Sequence, residues 1–481
     1  MLVESIVRSQ GASTIKWKTG RFRISLQGYR SHLTKWPRRY FKVRVVRSEF
    51  FWLRSSADSG RDGSPARCRG RRSRPFLEIE DGIFTERRIR FYGLGVAVAY
   101  ALSLAWRLVH GQWVILPDGR LRCIDFGWMW LSGKFAVSGE AAKIFDYSTF
   151  SAAQLALFGD NNCPFITPYV YPPTYLFGTY FLGFMPYLTA FAAWILATLF
   201  LYGTAVYTII PRRAAVIAAM CPFCVAVNAD FGHNAFITAA LVGFSLASLE
   251  RRPWLSGIFL GLLSYKPHIG VLFPLVLLAS RNWRALASAA MASMVLAIAA
   301  ALAFGSEGWA SLLHTLLDRQ STLSPDPAVP LALHSVFGLL RWVEASASVS
   351  WAGHLFVGAI VAGTVCSVWA KRIPFSLKAA VLCIGSAMIS PYILFYDLCI
   401  LSIAVAFLVR DGLARGFLPG ERTAILICFA ALFLVQVPIG PVVCVTLLFL
   451  AARRIVVYRR VDQTVVLEKS NNFEMKRIAG D

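Results

Sequence analysis

Long apolar segments separated by short polar stretches fill the chain from residue 91 onward. The first, FYGLGVAVAYALSLAWRLVHGQWV at 91–114, is long enough for a helix to cross a bilayer core. A polar stretch at 115–168 follows it, and the segment 169–186 either crosses the membrane or enters and returns. The further apolar segments are 188–210, 214–229, 235–249, 254–280, 285–304, 351–371, 376–389, 391–409, 422–436 and 439–452. This pattern predicts an all-α polytopic membrane protein with about 12 transmembrane helices (roughly 11–13).

The segment 254–280 is predicted to form two short helices, because arginines flank both of its ends. The helices meet at Tyr265-Lys266-Pro267. A proline cannot continue the hydrogen-bond ladder of a helix. A lysine at that depth is costly unless it meets water or a partner. The break therefore marks Lys266 as a candidate site residue.

Composition agrees with a membrane protein and places most of the positive charge at the N-terminus. The chain is 57% hydrophobic and 16% charged, with a net charge of +23. Residues 1–90 hold 22 Lys/Arg against 8 Asp/Glu, which accounts for +14 of that charge. A basic protein can bind nucleic acid, but so apolar a body argues against it, and we expect no nucleic-acid partner. Basic residues beside apolar segments more often fix orientation in a membrane.

Three regions follow from this pattern. Residues 1–88 are interpreted as a disordered basic cytoplasmic arm, or as translated upstream sequence that the working protein lacks. Residues 89–455 form the predicted transmembrane domain, and 456–481 a cytoplasmic tail.

The arginine clusters set the predicted orientation. Arg87, Arg88 and Arg90 precede the first segment, so its N-terminal end is expected in the cytoplasm and the 115–168 loop outside. This layout gathers four polar features on the outer face: 115–168, NADFGHN (228–234), Lys266 and SPYILFYD (390–397). A channel or carrier would instead place polar groups near the bilayer midplane in repeat-related broken helices.

Asp125 is a lone acid among aromatic residues in CIDFGWMWLSGKF (123–135). Phe126 and Trp130 are four residues apart, which predicts a short interfacial helix with its aromatic residues at headgroup level. Asp125 then either caps this helix or acts as a catalytic acid or base, and these two roles can coexist. Cys123 and Cys163 share the loop and can pair if it faces an oxidising compartment.

Other candidates have ordinary structural explanations that stay open. Asp146 in KIFDYSTF is a second cap or turn, and Tyr171-Pro172-Pro173 is a possible helix start. His233 and Asn234 lie in a turn, with His268 the only nearby candidate for a further metal ligand, so we expect no metal site. Lys266 pairs either with Asp397 or with an anion such as a lipid phosphate.

The order of these motifs resembles glycosyltransferase family 87 over about residues 90–455. The motifs are Asp125 to Gly133, Phe145-Asp146-Tyr147, Tyr171-Pro172-Pro173, Gly232 to Asn234, Lys266-Pro267, Ser390-Pro391 and Tyr396-Asp397. In one departure, the family usually has Gln where this chain has His233. The family contains membrane enzymes of the GT-C fold, some of which are mannosyltransferases that use polyprenyl-phosphate mannose.

The resemblance implies an inverting hexosyltransferase in the cell membrane, with its active site on the extracytoplasmic side. The donor would be a polyprenyl-phosphate sugar, the acceptor a hydroxyl of a glycan or glycolipid, and no cofactor is implied. Asp125 would be the general base. The substrate-binding residues would be Asp146, Tyr171, His233, Asn234, Lys266, His268, Tyr396 and Asp397.

Two other functions remain as alternatives. One is a transporter or flippase for a lipid-linked or polar solute. The other is a cell-envelope glycan polymerase or ligase, which would carry its reactive groups in the later outer loop 305–350, where His314, Arg319 and His334 lie.

Overall fold

The structure of the protein is a computed structural model, and it divides into two units, Met1–Arg72 and Ser73–Asp481. It describes residues 7–9, 12–19, 22–27, 42–46, 84–159, 163, 166, 168–313 and 333–478.

The first unit contains a four-stranded antiparallel sheet. Its strands are β1 (Val7–Ser9), β2 (Ala12–Thr19), β3 (Phe22–Gln27) and β4 (Lys42–Val46), in the order β1-β2-β3-β4. Val, Ile and Thr are frequent in these segments and favour extended backbone. The prediction of a disordered arm differs from the structure over these strands, and most other residues of that region lie outside the described ones.

The second unit is helical in every regular element that the structure describes. Its helices are α1 (Glu86–Val109), α2 (Asp125–Val137), α3 (Tyr147–Phe158), α4 (Leu176–Thr179), α5 (Tyr187–Ile209), α6 (Arg213–Ala219), α7 (Phe223–Phe231), α8 (Ala235–Ser248), α9 (Pro253–Leu262), α10 (Pro267–Gly270), α11 (Leu272–Ala279), α12 (Trp283–Phe304), α13 (Val336–Trp342), α14 (Ala347–Ala370), α15 (Phe375–Ile389), α16 (Ile400–Arg415), α17 (Glu421–Ala431) and α18 (Gly440–Ile478). Short 3₁₀ helices lie at Ala141–Phe145, Pro173–Tyr175, Tyr180–Phe184, Leu263–Tyr265 and Phe395–Cys399.

Fewer helices than predicted are long enough to cross a membrane. Among the described residues, five helices qualify by length and composition, or six if the bent pair α6 and α7 is one span. Four more apolar helices have only 10–17 residues. A 14-residue helix such as α8 is about 21 Å long, whereas the bilayer core is about 30 Å thick. The predicted count of about 12 spans is therefore not confirmed.

The break at Lys266 is confirmed. Helix α9 ends at Leu262, a 3₁₀ turn follows, and α10 starts at Pro267, the position where a proline is accepted in a helix. The segment 169–186 consists of short helical turns over 173–184, too short to cross the core.

The packing of the bundle separates lipid-facing from buried helices. Phe91 on α1 and Leu302 on α12 are 72% and 83% exposed, as expected of side chains that face lipid. In contrast, α15 and α16 pack against each other and are buried along most of their length. At its far end α18 continues as one helix to Ile478, through the predicted tail.

Helix α2 is fixed against the 3₁₀ helix at 180–184 by two glycines. A Cβ on Gly133 would lie 2.3 Å from the carbonyl oxygen of Thr179, and one on Gly183 would lie 2.3 Å from that of Gly133. Because neither residue has a side chain, the two backbones touch. The indole of Trp130 donates to the carbonyl oxygen of Met185 at 3.0 Å. This contact sets the position of Asp125 at the start of α2.

Phe126 of α2 faces the protein core, contrary to the prediction that it lies at headgroup level, whereas Trp128 and Trp130 are partly exposed. Phe126 is fully buried, with its ring 5.3 Å from Tyr187 and 5.1 Å from Phe191. The sequence could not indicate this, because an interfacial helix and a packed helix have the same spacing of aromatic residues.

Candidate active site

The second unit brings together side chains from five separate parts of the chain at one end of its helices. They are Asp125 at the start of α2, Tyr171, the turn at His233 and Asn234, Lys266 at the helix break, and Asp397 in the 3₁₀ helix before α16. All of these except Tyr171 belong to the four polar features that the arginine pattern placed on one face.

A buried ion pair lies in the middle of this cluster. Lys266 Nζ donates to Asp397 Oδ1 at 2.6 Å, and both side chains are 3% exposed. The second oxygen, Asp397 Oδ2, accepts the backbone N–H of Leu394 at 3.3 Å. The structural alternative for Lys266, a salt bridge with Asp397, is therefore present. An ammonium has three donors, so this salt bridge occupies only one of them.

Asp125 does not cap α2. The N-cap position is Ile124, and no side chain caps the helix there. Burial raises the pKa of the Asp125 carboxyl to about 7, and the charge of Asp397 adds to the shift. The hydrogen bond from Tyr396 and the charge of Lys266 oppose it. A carboxyl whose pKa lies near neutral pH can exchange a proton in either direction, as a general base requires.

Aromatic rings form one wall of the cluster. Tyr171 Oη lies 3.0 Å from His233 Nε2, and the His233 ring stacks on Tyr396 with centroids 3.9 Å apart. Tyr175 lies between Tyr171 and Tyr265, with centroid distances of 4.5 Å and 4.9 Å. Stacked aromatic faces of this kind bind apolar surfaces and the C–H faces of ring compounds.

Tyr175 and Tyr265 were missed in the sequence. Two signals in the sequence pointed to them: Tyr175 follows Tyr171 by four residues, and Tyr265 directly precedes Lys266. Tyr265 also shares a hydrogen bond of 2.6 Å with Thr238.

The turn that carries His233 and Asn234 depends on Gly232. This residue has φ +67°, a left-handed conformation that favours glycine, and a Cβ there would come within 2.6 Å of Phe126 Cβ. Asn234 Nδ2 donates to Tyr175 Oη at 3.1 Å. The turn is thus held directly against α2.

Several buried polar atoms of this turn and of the helix break before Lys266 have no hydrogen-bond partner among the described residues. They include His233 Nδ1, Asn234 Oδ1 and Ser264 Oγ. Most buried polar atoms in folded proteins are paired. Atoms like these are available to hydrogen-bond the groups of a bound ligand.

Two of the predicted binding residues, Asp146 and His268, do not lie in the middle of the cluster. Asp146 is exposed and caps α3 by accepting from Thr149 N at 2.8 Å, and hydrogen bonds from Ser148 and Thr149 lower its pKa to about 2. The structure therefore does not bring Asp146 into the cluster. His268 is half-buried and interacts electrostatically with His233 and Lys266 at the edge of the cluster.

The loop before the site is closed by a disulfide. Cys123 and Cys163 are bonded, with their Cα atoms 5.1 Å apart, which confirms the predicted pairing. Arg122, next to Cys123, donates to Asp230 at 2.9 Å, and Arg107 donates to the same carboxylate at 2.7 Å. These contacts connect the end of α1, the loop and α7.

The later loop returns to the cluster at its described end. His334 donates its backbone N–H to the carbonyl oxygen of Ile393 at 2.8 Å, four residues before Asp397. His314 and Arg319, named for the polymerase alternative, lie outside the described residues. No three His, Cys, Asp or Glu side chains in the part of the chain that the structure describes lie close enough to hold a metal ion.

An apolar helical bundle with an enclosed ionic and aromatic cluster at one end is the architecture of a membrane protein with polar chemistry at its surface. Within it, residues 169–391 match the model of glycosyltransferase family 87. The match agrees with the resemblance seen in the sequence and supports a membrane glycosyltransferase as the class of the protein. No curated protein and no solved structure matches the chain.

The matched residues contain Tyr171, His233, Asn234 and Lys266 but end before Asp397 and begin after Asp125. Asp125 is connected to the matched region by its interaction with Lys266, whereas its other neighbours, Tyr396 and Asp397, lie just beyond the end of the match.

Proposed function

We propose that the protein transfers a hexose from a polyprenyl phosphate to an acceptor hydroxyl on the extracytoplasmic face, with inversion at the anomeric carbon. The observation that carries this proposal is the enclosed Asp125 carboxyl beside the Lys266–Asp397 pair. A sugar transferase needs a proton acceptor and a means of offsetting phosphate charge, and this cluster contains a candidate for each.

In this mechanism the Asp125 carboxylate accepts the proton of the acceptor hydroxyl. The hydroxyl oxygen forms a bond to the anomeric carbon while the bond from that carbon to the phosphate oxygen breaks. The electron pair leaves with the polyprenyl phosphate. Protonated Asp125 then returns its proton to water.

Lys266 has the role of offsetting the charge of the leaving phosphate. Asp397 accepts a hydrogen bond from only one of the three N–H groups of the ammonium. A fixed cation stabilises negative charge as it develops, and burial strengthens the effect because little water screens it. The unpaired His233 Nδ1 and Asn234 Oδ1 are placed to hydrogen-bond sugar hydroxyls.

The disulfide and the arginine pattern support the extracytoplasmic placement. Disulfides persist in oxidising compartments and are rare in the cytosol, and the Cys123–Cys163 bond closes the loop that carries Asp125. The arginines Arg87, Arg88 and Arg90 lie at the other end of α1, in its first turns. The enclosing bilayer would supply the lipid-linked donor.

Purified protein in vesicles, supplied with a set of polyprenyl-phosphate hexoses and with the corresponding nucleotide sugars, tests this function. We expect transfer to an acceptor glycan or glycolipid from at least one lipid-linked donor and none from the nucleotide sugars. Transfer from nucleotide sugars would refute the proposed donor class. Movement of the intact lipid-linked sugar across the vesicle, without transfer, would instead identify a flippase.

Transfer is expected to rise with pH through about 7, because Asp125 must be ionised to accept a proton. The stability of the fold changes with pH in the opposite direction, because the buried Asp125 carboxyl stabilises the folded protein when it is neutral. This contribution to stability is fully present below the ordinary pKa of 3.8 and is lost as pH rises through about 7.

Tyr396→Phe removes a hydrogen bond that favours the Asp125 carboxylate, so the rise of the transfer rate with pH should move to higher pH. The measurement is a pH profile of transfer for both proteins; an unchanged rise would refute the contact with Tyr396.

A further inference from the structure

A cavity of about 660 Å³ opens at the end of the bundle opposite the ionic cluster. Helices α8, α11 and α15 connect the two places, because each has one end near the cluster and the other at the cavity. Helix α8 has 14 residues, a length of about 21 Å. The cavity is therefore a separate site from the one that contains Asp125.

Positive side chains predominate among the charged residues that line this cavity. Its charged and amide residues are Glu250, Arg281, Asn282, Lys371, Arg372 and Lys378. Four cations against one carboxylate leave an excess of +3. In the part of the chain that the structure describes, no ion pair within 4.0 Å joins any of them. Lys378 Nζ donates to Trp369 O at 2.9 Å, and the charge of Lys378 interacts with that of Glu250. Arg281, Lys371 and Arg372 are therefore the cations of this concave space best suited to bind an anion.

Arg281 adds a backbone observation that is independent of charge. Its φ is +57°, and α11 ends there with Asn282 N donating to Leu277 O at 2.8 Å and Arg281 N donating to Leu278 O at 3.0 Å. This pair of bonds is a Schellman motif, in which glycine is the usual residue at the left-handed position. Here an arginine has that strained conformation, so a charged residue stands among the lining residues where glycine is usual.

The surroundings place this cavity where apolar helices end. Ala279, Ala370 and Leu249 end or follow apolar helices and line it. Trp369 lines it too, and its indole donates to Lys378 O at 3.0 Å. Tryptophan favours the interface between lipid and water. Arginine clusters that only set orientation do not require a cavity, so the concave arrangement needs a further explanation.

We propose that this cavity binds the phosphate headgroup of an anionic phospholipid. Guanidinium and ammonium groups pair with phosphate oxygens, and basic pockets between membrane helices suit such headgroups. The volume is within the range of about 300–1,000 Å³ that small ligands occupy in protein sites. Because it lies at the far end of α8, α11 and α15, the lipid binds without entering the catalytic cluster.

The test compares two variants with equal loss of charge. Arg281→Gly/Lys371→Gln removes two lining cations, and the glycine keeps the left-handed turn. Arg251→Gln/Arg284→Gln removes two exposed cations that follow the same helices but do not line the cavity. The full chain is placed in phosphatidylcholine nanodiscs with increasing phosphatidylglycerol, and bound phosphatidylglycerol is counted by native mass spectrometry.

We expect the cavity variant to need at least about tenfold more phosphatidylglycerol for half-occupancy, given about 1 kcal/mol for each cation near a membrane surface. The control variant should bind as the unaltered protein does. Equal weakening in both variants would overturn the proposal in favour of general charge attraction. Displacement of the lipid by millimolar inorganic phosphate would also overturn it, because the site would then take free phosphate.

If the double variant does not fold, Lys371→Gln alone is measured, with Arg284→Gln as its control; equal binding by those two would overturn the proposal as well.

Discussion

Asp125→Asn is expected to lower the rate of sugar transfer by about 10²- to 10⁴-fold, the usual contribution of a general base. Asparagine has the size of aspartate but cannot accept the proton of the acceptor hydroxyl. The amount of folded protein should not fall, because Ile124 and not Asp125 occupies the N-cap of α2. Burial already disfavours the Asp125 carboxylate, as its raised pKa shows, so removal of the charge should not destabilise the protein at neutral pH.

The matched control is Asp146→Asn. Asp146 is an exposed aspartate that caps α3, and asparagine caps helices about as well as aspartate. Transfer by this variant should equal that of the unaltered protein. Normal transfer by Asp125→Asn at normal protein level would remove Asp125 as the base. A loss of folded protein would instead assign Asp125 a structural role.

Lys266→Met is expected to destabilise the protein by about 3–5 kcal/mol, because it leaves Asp397 charged and buried without its partner. Both side chains are 3% exposed, so water cannot compensate. Asp397→Asn should destabilise to a similar extent by leaving the ammonium unpaired. The measurement is the thermal unfolding of each variant in the same lipid or detergent.

The double variant Lys266→Met/Asp397→Asn separates the stabilising role of the pair from catalysis. It contains no unpaired charge, and an amide oxygen at 397 can still accept the N–H of Leu394, so most of the lost stability should return. If Lys266 also meets the donor phosphate, transfer stays low and half-saturation by the donor rises more than half-saturation by the acceptor. Full recovery of both stability and transfer would make Lys266 purely structural.

Features that depend on one local rule were predictable from the sequence. Pro267 after an apolar run predicted the helix break, and the structure has it at Lys266. Asp146 was interpreted as a possible helix cap, and in the structure it caps α3. The pairing of Cys123 with Cys163 followed from two thiols in one loop. The family was recognised from motif order, and the match over 169–391 agrees.

Features that depend on tertiary packing were not predictable. The predicted number of spans is not confirmed, and hydropathy does not report where an apolar run bends, as between α6 and α7 at 69°. Phe126 was expected at headgroup level because its spacing from Trp130 is that of an interfacial helix. Its packing partners, Tyr187 and Phe191, lie more than 60 residues later in the chain and are visible only in the folded bundle. Tyr175 was missed because its neighbour Tyr265 comes from a helix break 90 residues later in the chain.

The disulfide of the first loop also has a consequence for how the protein is made. Cys123 lies two residues before Asp125, so the covalent closure and the proposed base belong to the same stretch of chain. In the proposed orientation this stretch is oxidised only after translocation. Chains inserted upside down would keep both thiols reduced in the cytosol. Maturation of the catalytic loop is thereby coupled to correct membrane insertion, and misinserted copies would be recognisable by their free thiols.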